Sequence, residues 1–235
     1  MRLVTWNVNH RAKARKIPAW IVAAIEQREP DLLVLTEYVE GLEHQDFSSA
    51  LADIGLAHVA CSTRVSGHNQ ILIAARLPLL PGQVFAPALH DAVPPNFLHV
   101  TLPDIGVDCF GVRIPVGSGF DHLKRSLWEW LLDTAASKVD ARALLTGDLN
   151  THPGDSHARC GDCLASLQEL GWRSGSPVRG ASFGGPEGSR KIDHLYVTSS
   201  LTVSNSVYDW EWTNAENGWD KVGLPDHAMI VADLS

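Results

Sequence analysis

Five short stretches of this 235-residue chain place acid, amide or imidazole side chains at the end of an apolar run. Asn7 and Asn9 follow Leu3-Val4-Thr5-Trp6, and Glu37 closes Leu33-Val34-Leu35-Thr36. Asp148 and Asn150 end Leu144-Leu145-Thr146-Gly147, Asp193 follows Lys191-Ile192, and Asp226-His227 precedes a last apolar run at Ala228. A strand end is rigid, so side chains there can be aimed into a shared cleft. Taken singly, each acid has a plainer use as a helix or turn cap. Five together fit capping poorly and suit hard-cation chemistry. Mg²⁺ takes oxygen ligands, keeps several waters, and is held by one or two carboxylates together with substrate phosphate. On residue type, Glu37 is the natural metal anchor, with Asp226 and the side-chain oxygen of Asn7 in support.

The ordered set from Trp6-Asn7 through Glu37, Gly147-Asp148-Leu149-Asn150 and Asp193 to Asp226-His227 resembles the endonuclease/exonuclease/phosphatase superfamily. That superfamily includes AP endonucleases, DNase I, inositol phosphatases and sphingomyelinases. The similarity spans nearly the whole chain, and the Gly-Asp-Leu-Asn and Asp-His elements are its most specific parts. It implies a four-layer αββα sandwich with the site at one edge of two mainly antiparallel sheets. It also implies Asp148 as the general base, positioned by Asn150, with Asn7 in the same catalytic set. His227 would donate a hydrogen bond to a phosphoryl oxygen, and Asp193 would orient its imidazole and favour the charged form. Glu37 with Mg²⁺, or Mn²⁺ in its place, would offset charge on the leaving group and the non-bridging oxygens.

Two positions depart from the AP endonuclease pattern. Asn9 stands where an aspartate is common, which removes one metal carboxylate and weakens any two-metal scheme. Arg113, in Gly111-Val112-Arg113-Ile114-Pro115, stands where a tyrosine is usual. A guanidinium there can bind phosphate bidentately; a solvated strand-end arginine is the plainer alternative. The swap argues against a dedicated abasic-site enzyme.

Around these residues, Arg113, Asn150 and His227 are expected to touch substrate; Asn69, in Ser66-Gly67-His68-Asn69-Gln70, stands where members of the family it resembles often do so, with plain turn chemistry as the alternative. His10, Arg11, Lys13, Arg15 and Lys16 form the densest basic stretch, either a phosphate-docking loop or an ordinary solvated one. Trp210, Trp212 and Trp219 run toward Asp226-His227. They either stack on bases or a sugar, with Trp219 counted as a substrate contact, or cover a sheet edge.

The elements that must position this set read as one domain over residues 1–235, without repeat or linker. Strands are expected at Leu3–Asn7, Asp31–Glu37, Ala57–Ser62, Gln70–Ala75, Gln83–Pro87, Phe97–Leu102, Gly106–Ile114, Arg142–Gly147, Ile192–Val197, Thr202–Tyr208 and Ala228–Asp233. Helical spacing marks Pro18–Arg28, Phe47–Ile54, Phe120–Ser137 and Cys163–Leu170. Many strands with widely spaced helices fit two packed sheets better than a doubly wound parallel sheet.

A formal net charge of -8 argues against a broad nucleic-acid-gripping face, though not against a locally positive cleft. No apolar run reaches the roughly 18 residues that span a bilayer, and no leader pattern opens the chain. A soluble, cytoplasmic monomer is expected. Cys160-Gly161-Asp162-Cys163 lacks an evident second ligand pair, so structural thiols are preferred over a redox pair or a metal site. The function that follows is a Mg²⁺-dependent phosphodiester hydrolase, a nuclease acting on DNA. The alternative is a phosphatase or phospholipase-type hydrolase of a small or lipid-linked phosphate ester.

Overall fold

Strands that are apolar on both faces need cover on both sides, and this requirement sets the architecture. The computed structural model describes residues 1–9, 17–66, 68–87, 96–116, 121–185, 188–212 and 225–235. The first half of the chain forms β1 (Arg2–Asn7), α1 (Ala19–Glu26), β2 (Leu32–Tyr38), α2 (His44–Asp53), β3 (His58–Cys61), β4 (Gln70–Ala75), β5 (Leu80–Pro81), β6 (Asn96–Leu102) and β7 (Val107–Arg113). The second forms α3 (Asp121–Ser137), β8 (Ala143–Asp148), α4 (Gly161–Glu169), β9 (Arg173–Ser174), β10 (Phe183–Gly185), β11 (Gly188–Arg190), β12 (Asp193–Val197), β13 (Val203–Asp209) and β14 (Met229–Leu234). One sheet runs β13-β14-β1-β2-β4-β3 and the other β5-β6-β7-β8-β12-β9, with β10 and β11 a separate hairpin.

Side chains alternate between the two faces of a strand. Leu3, Leu32, Val34, Ile71 and Ile73 of the first sheet therefore meet Val100, Cys109, Leu144 and Leu195 of the second. Their chain neighbours Val4, Leu33, Leu35 and Leu72 turn outward onto Ile21 and Ile25 of α1 and Phe47 and Leu51 of α2. On the other side Phe110, Val112, Leu145 and Tyr196 meet Leu127, Trp128 and Leu131 of α3 and Leu164 and Leu167 of α4. The result is the αββα sandwich that the family resemblance implies. Burying one such side chain is worth roughly 1.5–3 kcal/mol, well above a surface ion pair, so three apolar layers hold the fold. The sheets come close at Gly111, where an added Cβ would lie 2.6 Å from Ile71 Cγ2.

Register brings the polar strand ends to one edge. β1 and β2 are parallel with Asn7 opposite Thr36, and β7 and β8 are parallel with Arg113 opposite Asp148. β12 runs antiparallel to β8 with Asp193 opposite Asp148, and β14 runs antiparallel to β1. The C-terminal ends of β1, β2, β7 and β8 thus lie beside the starts of β12 and β14.

Two expectations change, and one open alternative is decided. Gln83–Pro87 is not a strand: the two-residue β5 just before it takes the ladder positions on β6, and Val84 N donates to His99 Nδ1 at 3.1 Å instead. β9, β10 and β11 are only two or three residues long, too short to show an alternating pattern. Trp212 is 2% exposed and packs against Trp6 and Trp20, while Trp210 donates to the Ala181 carbonyl, so these two cover the first sheet. Trp219 and the basic stretch His10–Lys16 lie outside the described residues. Cys160 and Cys163 are buried free thiols in the core under α3. No helix among the described residues is long and apolar enough to cross a membrane.

Gly147 holds β8 against β7 at φ +136°, where an added Cβ would stand 2.1 Å from the Val112 carbonyl oxygen. Gly147→Ala should lower unfolding free energy by more than about 2 kcal/mol in urea melts, since both backbone and space forbid the methyl. An unchanged midpoint would show that β8 can shift.

Candidate active site

The shared edge carries a carboxylate held from both sheets. Asp148, at the end of β8, accepts hydrogen bonds on Oδ2 from Asn7 Nδ2 (3.0 Å) and Asn150 Nδ2 (2.8 Å), and on Oδ1 from the Asn150 backbone N–H (3.0 Å). Asn150 reaches both oxygens because its backbone is left-handed at φ +46°, a conformation asparagine tolerates. The Asn7 amide is fixed in turn: its Oδ1 accepts the Asn9 N–H at 2.9 Å, which leaves the amino group for Asp148.

Glu37 enters from β2, whose pairing with β4 slips between Leu35 and Tyr38. Glu37 itself stands at φ +56°. A bulge re-aims a side chain, and left-handed backbone at a non-glycine residue costs on the order of 1–2 kcal/mol. The surrounding ladders hold this strained carboxylate in place, the pattern found at functional sites. Arg113 donates to Glu37 Oε1 through Nε (3.0 Å) and Nη2 (2.6 Å), and its Nε lies 3.9 Å from Asp148 Oδ2.

His227 completes the group. Its Nδ1 lies 2.7 Å from Asp193 Oδ2, and its Nε2 lies 3.8 Å from Asp226 Oδ1. The Trp6 indole donates to the His227 carbonyl at 3.0 Å, and the Phe183 ring lies 5.0 Å from the imidazole. Ser182 Oγ accepts the backbone N–H groups of Ile192 and Asp193, both at 3.0 Å, and the Tyr208 hydroxyl donates to the Asp193 carbonyl. Lys124, buried on α3, donates to the Asn150 carbonyl at 2.7 Å.

The electrostatics suit a base and a cationic donor. Burial, followed by the charge of Asp193, raises the Asp148 pKa to about 7, against the opposing pull of His227 and Arg113. Burial alone would lower the His227 pKa; the charge and hydrogen bond of Asp193, with Asp148 and Asp226 nearby, outweigh it and raise the value to about 10. His227 is therefore an imidazolium at neutral pH, with Nδ1–H directed at Asp193 and Nε2–H on its other side.

Ligand-type atoms of Asp148, Asp193 and His227 lie within 4.8 Å of one another. That triple makes a poor cation site, because His227 is charged and already committed to Asp193. The wider set fits a divalent cation better. Four carboxylates (Glu37, Asp148, Asp193, Asp226) are linked by ion pairs to two cations (Arg113, His227), a formal balance of minus two. Oxygen donors at that balance match Mg²⁺, with Glu37 among the carboxylates that make no ion pair with the imidazolium.

Asn7, Glu37, Arg113, Asp148, Asn150, Asp193, Asp226 and His227 are thus brought together. Gln70 pairs with Tyr38, which sets Asn69 beside the Glu37 bulge, and Asn69 Oδ1 is buried without a hydrogen-bond partner among the described residues. Sequence reasoning missed Lys124, Ser182 and Phe183. Lys124 left a signal, a lysine inside the apolar stripe of Leu123 and Leu127; Ser182 and Phe183 left none.

Comparison with known proteins agrees with this fold. The model of the Endonuclease/Exonuclease/phosphatase family matches residues 4–215. A comparison with curated proteins finds no match. Among solved structures the chain is similar to a 3′ phosphatase from Neisseria bound to a product DNA hairpin. There the TM-score is 0.74 and identity 19%, over 100% of this chain and 99% of that one. It is similar also to an AP endonuclease from Archaeoglobus fulgidus (TM-score 0.73, 19% identity, 99% of this chain and 98% of that one). A third likeness is to an endonuclease/exonuclease/phosphatase from Beutenbergia cavernae (TM-score 0.71, 21% identity, 99% and 70%). At these identities the likeness is one of fold.

The His227 value lies above its ordinary 6.5, so the Asp193–His227 pair stabilises the fold fully below about 6.5 and loses that contribution as pH rises through about 10. In chelator-treated protein, NMR should show the His227 ring titrating near that upper value. Asp193→Asn should move it well down from there, since only the charges of Asp148 and Asp226 then oppose burial. An unshifted titration in the variant would remove Asp193 from its charge-setting role.

Proposed function

The chain belongs to the endonuclease/exonuclease/phosphatase family and is a phosphoesterase, and from that premise we propose that it is a Mg²⁺-dependent phosphodiesterase acting as a nuclease on DNA. The observation that carries this reading is the Asp148 carboxylate, gripped by Asn7 and Asn150 and set close to the His227 imidazolium. Together they supply a base and a cationic donor within reach of one phosphoryl group.

In this reading Asp148 accepts a proton from water as the water oxygen bonds to phosphorus. The bond to the leaving-group oxygen breaks, and its electron pair stays on that oxygen. Three of the carboxylate's lone-pair positions are taken by Asn7 and Asn150, which fixes the remaining direction toward the water. His227 donates from Nε2 to a non-bridging oxygen, where charge builds as the reaction proceeds. Bound at Glu37 with Asp226 and the Asn7 oxygen in support, Mg²⁺, or Mn²⁺ in its place, supplies Lewis-acid stabilisation of the leaving and non-bridging oxygens. Arg113, Asn69, Asn150 and Trp219 contact the substrate, and the enzyme works as a cytoplasmic monomer.

DNA is favoured because the Neisseria relative is bound to a DNA hairpin and the Archaeoglobus relative is an AP endonuclease. A phosphomonoesterase is the second reading, favoured by the net charge of -8 and by the Neisseria relative's description as a 3′ phosphatase. One assay separates them: pure protein with Mg²⁺ on plasmid, abasic duplex, single-stranded DNA, RNA and a panel of small phosphomonoesters. Chelator-sensitive strand cleavage is expected; phosphate release from small esters with intact DNA would reverse the assignment. Asp148→Asn should lower kcat roughly 10²- to 10⁴-fold with the fold retained by circular dichroism. Undiminished turnover would take Asp148 out of the chemistry.

A further inference from the structure

Arg113 and Glu37 come from different sheets and meet across the site edge. Two guanidinium nitrogens converge on the single oxygen Oε1, at 3.0 and 2.6 Å, and the side chains are only 17% and 14% exposed. Arg113 is not free to drift away, because β7 pairs with β8 so that Arg113 stands opposite Asp148, its second acidic neighbour. Glu37 is confined as well, by the bulge in β2 and its left-handed backbone. Removing one partner of a buried ion pair leaves the other charge uncompensated, so the Glu37 carboxylate needs a cation at all times. A divalent ion ligated by oxygen at about 2.0–2.1 Å and an arginine fork on that same oxygen are alternative ways to provide it.

We propose that Arg113 is the resident counter-ion of the metal site, holding Glu37 until a divalent cation displaces it from Oε1 and thereby frees its fork for a phosphate oxygen. This rests on Glu37 being the metal anchor in the reading above. Metal and phosphate then bind with positive coupling, because phosphate captures the group that the metal must displace, and metal releases the group that phosphate needs. The fork geometry matters, since two parallel N–H groups suit either a carboxylate or a phosphate. Arginine in place of an aromatic residue at this position thus sets metal affinity and ties it to substrate.

Mn²⁺ titration, read by electron paramagnetic resonance of the free ion, tests this without turnover. Wild type, Arg113→Gln, Arg113→Lys and Glu37→Gln would be compared with and without inorganic phosphate. Arg113→Gln should tighten Mn²⁺ binding tenfold or more, and phosphate, which strengthens Mn²⁺ binding to wild type, should no longer do so. Arg113→Lys keeps the charge without the fork and should shift affinity in the same direction by less, which covers the case of a poorly folded glutamine variant. Unchanged or weaker Mn²⁺ binding in the Arg113 variants, with Glu37→Gln losing the ion, would overturn this role for Arg113 alone. Undiminished binding in Glu37→Gln would overturn the anchor assignment and this proposal with it.

Discussion

Asp148 is 1% exposed and shares its edge of the sandwich with three other carboxylates, Glu37, Asp193 and Asp226. Taking one ionised carboxylate out of water costs several kcal/mol even after relaxation. Its neighbours offset part of that cost: three hydrogen bonds from Asn7 and Asn150, and the positive charges of His227 and Arg113. Asn7 belongs to the first sheet and Asp148 to the second, so the bond between them crosses the sandwich. Asp148 therefore reaches this environment only when both sheets are assembled in register, which makes the apolar layers a condition of the site.

Support behind these contacts comes from the buried side chains of Lys124, Ser182 and Trp6. Lys124 reaches from α3 to the Asn150 carbonyl and so fixes the left-handed turn through which Asn150 grips Asp148 from two directions. Ser182 binds two successive N–H groups at the start of β12, and the Trp6 indole holds the His227 carbonyl, so both members of the Asp193–His227 pair are anchored through backbone. Positioning of this kind matters because a phosphoryl transfer leaves little covalent work to the protein. Strain is confined to Glu37, Asn9 and Asn150 among the site residues, each with positive φ, and each lies just where a strand gives way to the cleft.

Much of this was legible in the sequence for a local reason. A strand buried on both faces reads as an unbroken apolar run, and a polar residue that ends such a run marks itself; β4 appears at the expected Gln70–Ala75, and Asp148, Glu37 and Asn7 stand at run ends as expected. What escaped depends on partners distant in the chain. The Arg113–Glu37 pair joins residues 76 positions apart, and Ser182 is one serine among many until β12 packs over it. Gln83–Pro87 has strand-like composition but no ladder left to join, and Trp212 is fixed by its packing on Trp6 and Trp20. Periodicity cannot convey such facts.

A crystal grown with Mn²⁺ and inorganic phosphate, measured at the manganese absorption edge, probes the convergence of the two sheets on one reaction centre most directly. One anomalous peak bonded to Glu37, with a phosphate oxygen within hydrogen-bond distance of His227 Nε2 and Asp148 facing the phosphorus, is the expected result. Manganese seated among Asp148, Asp193 and His227, or a phosphate that touches neither Asp148 nor His227, would contradict it.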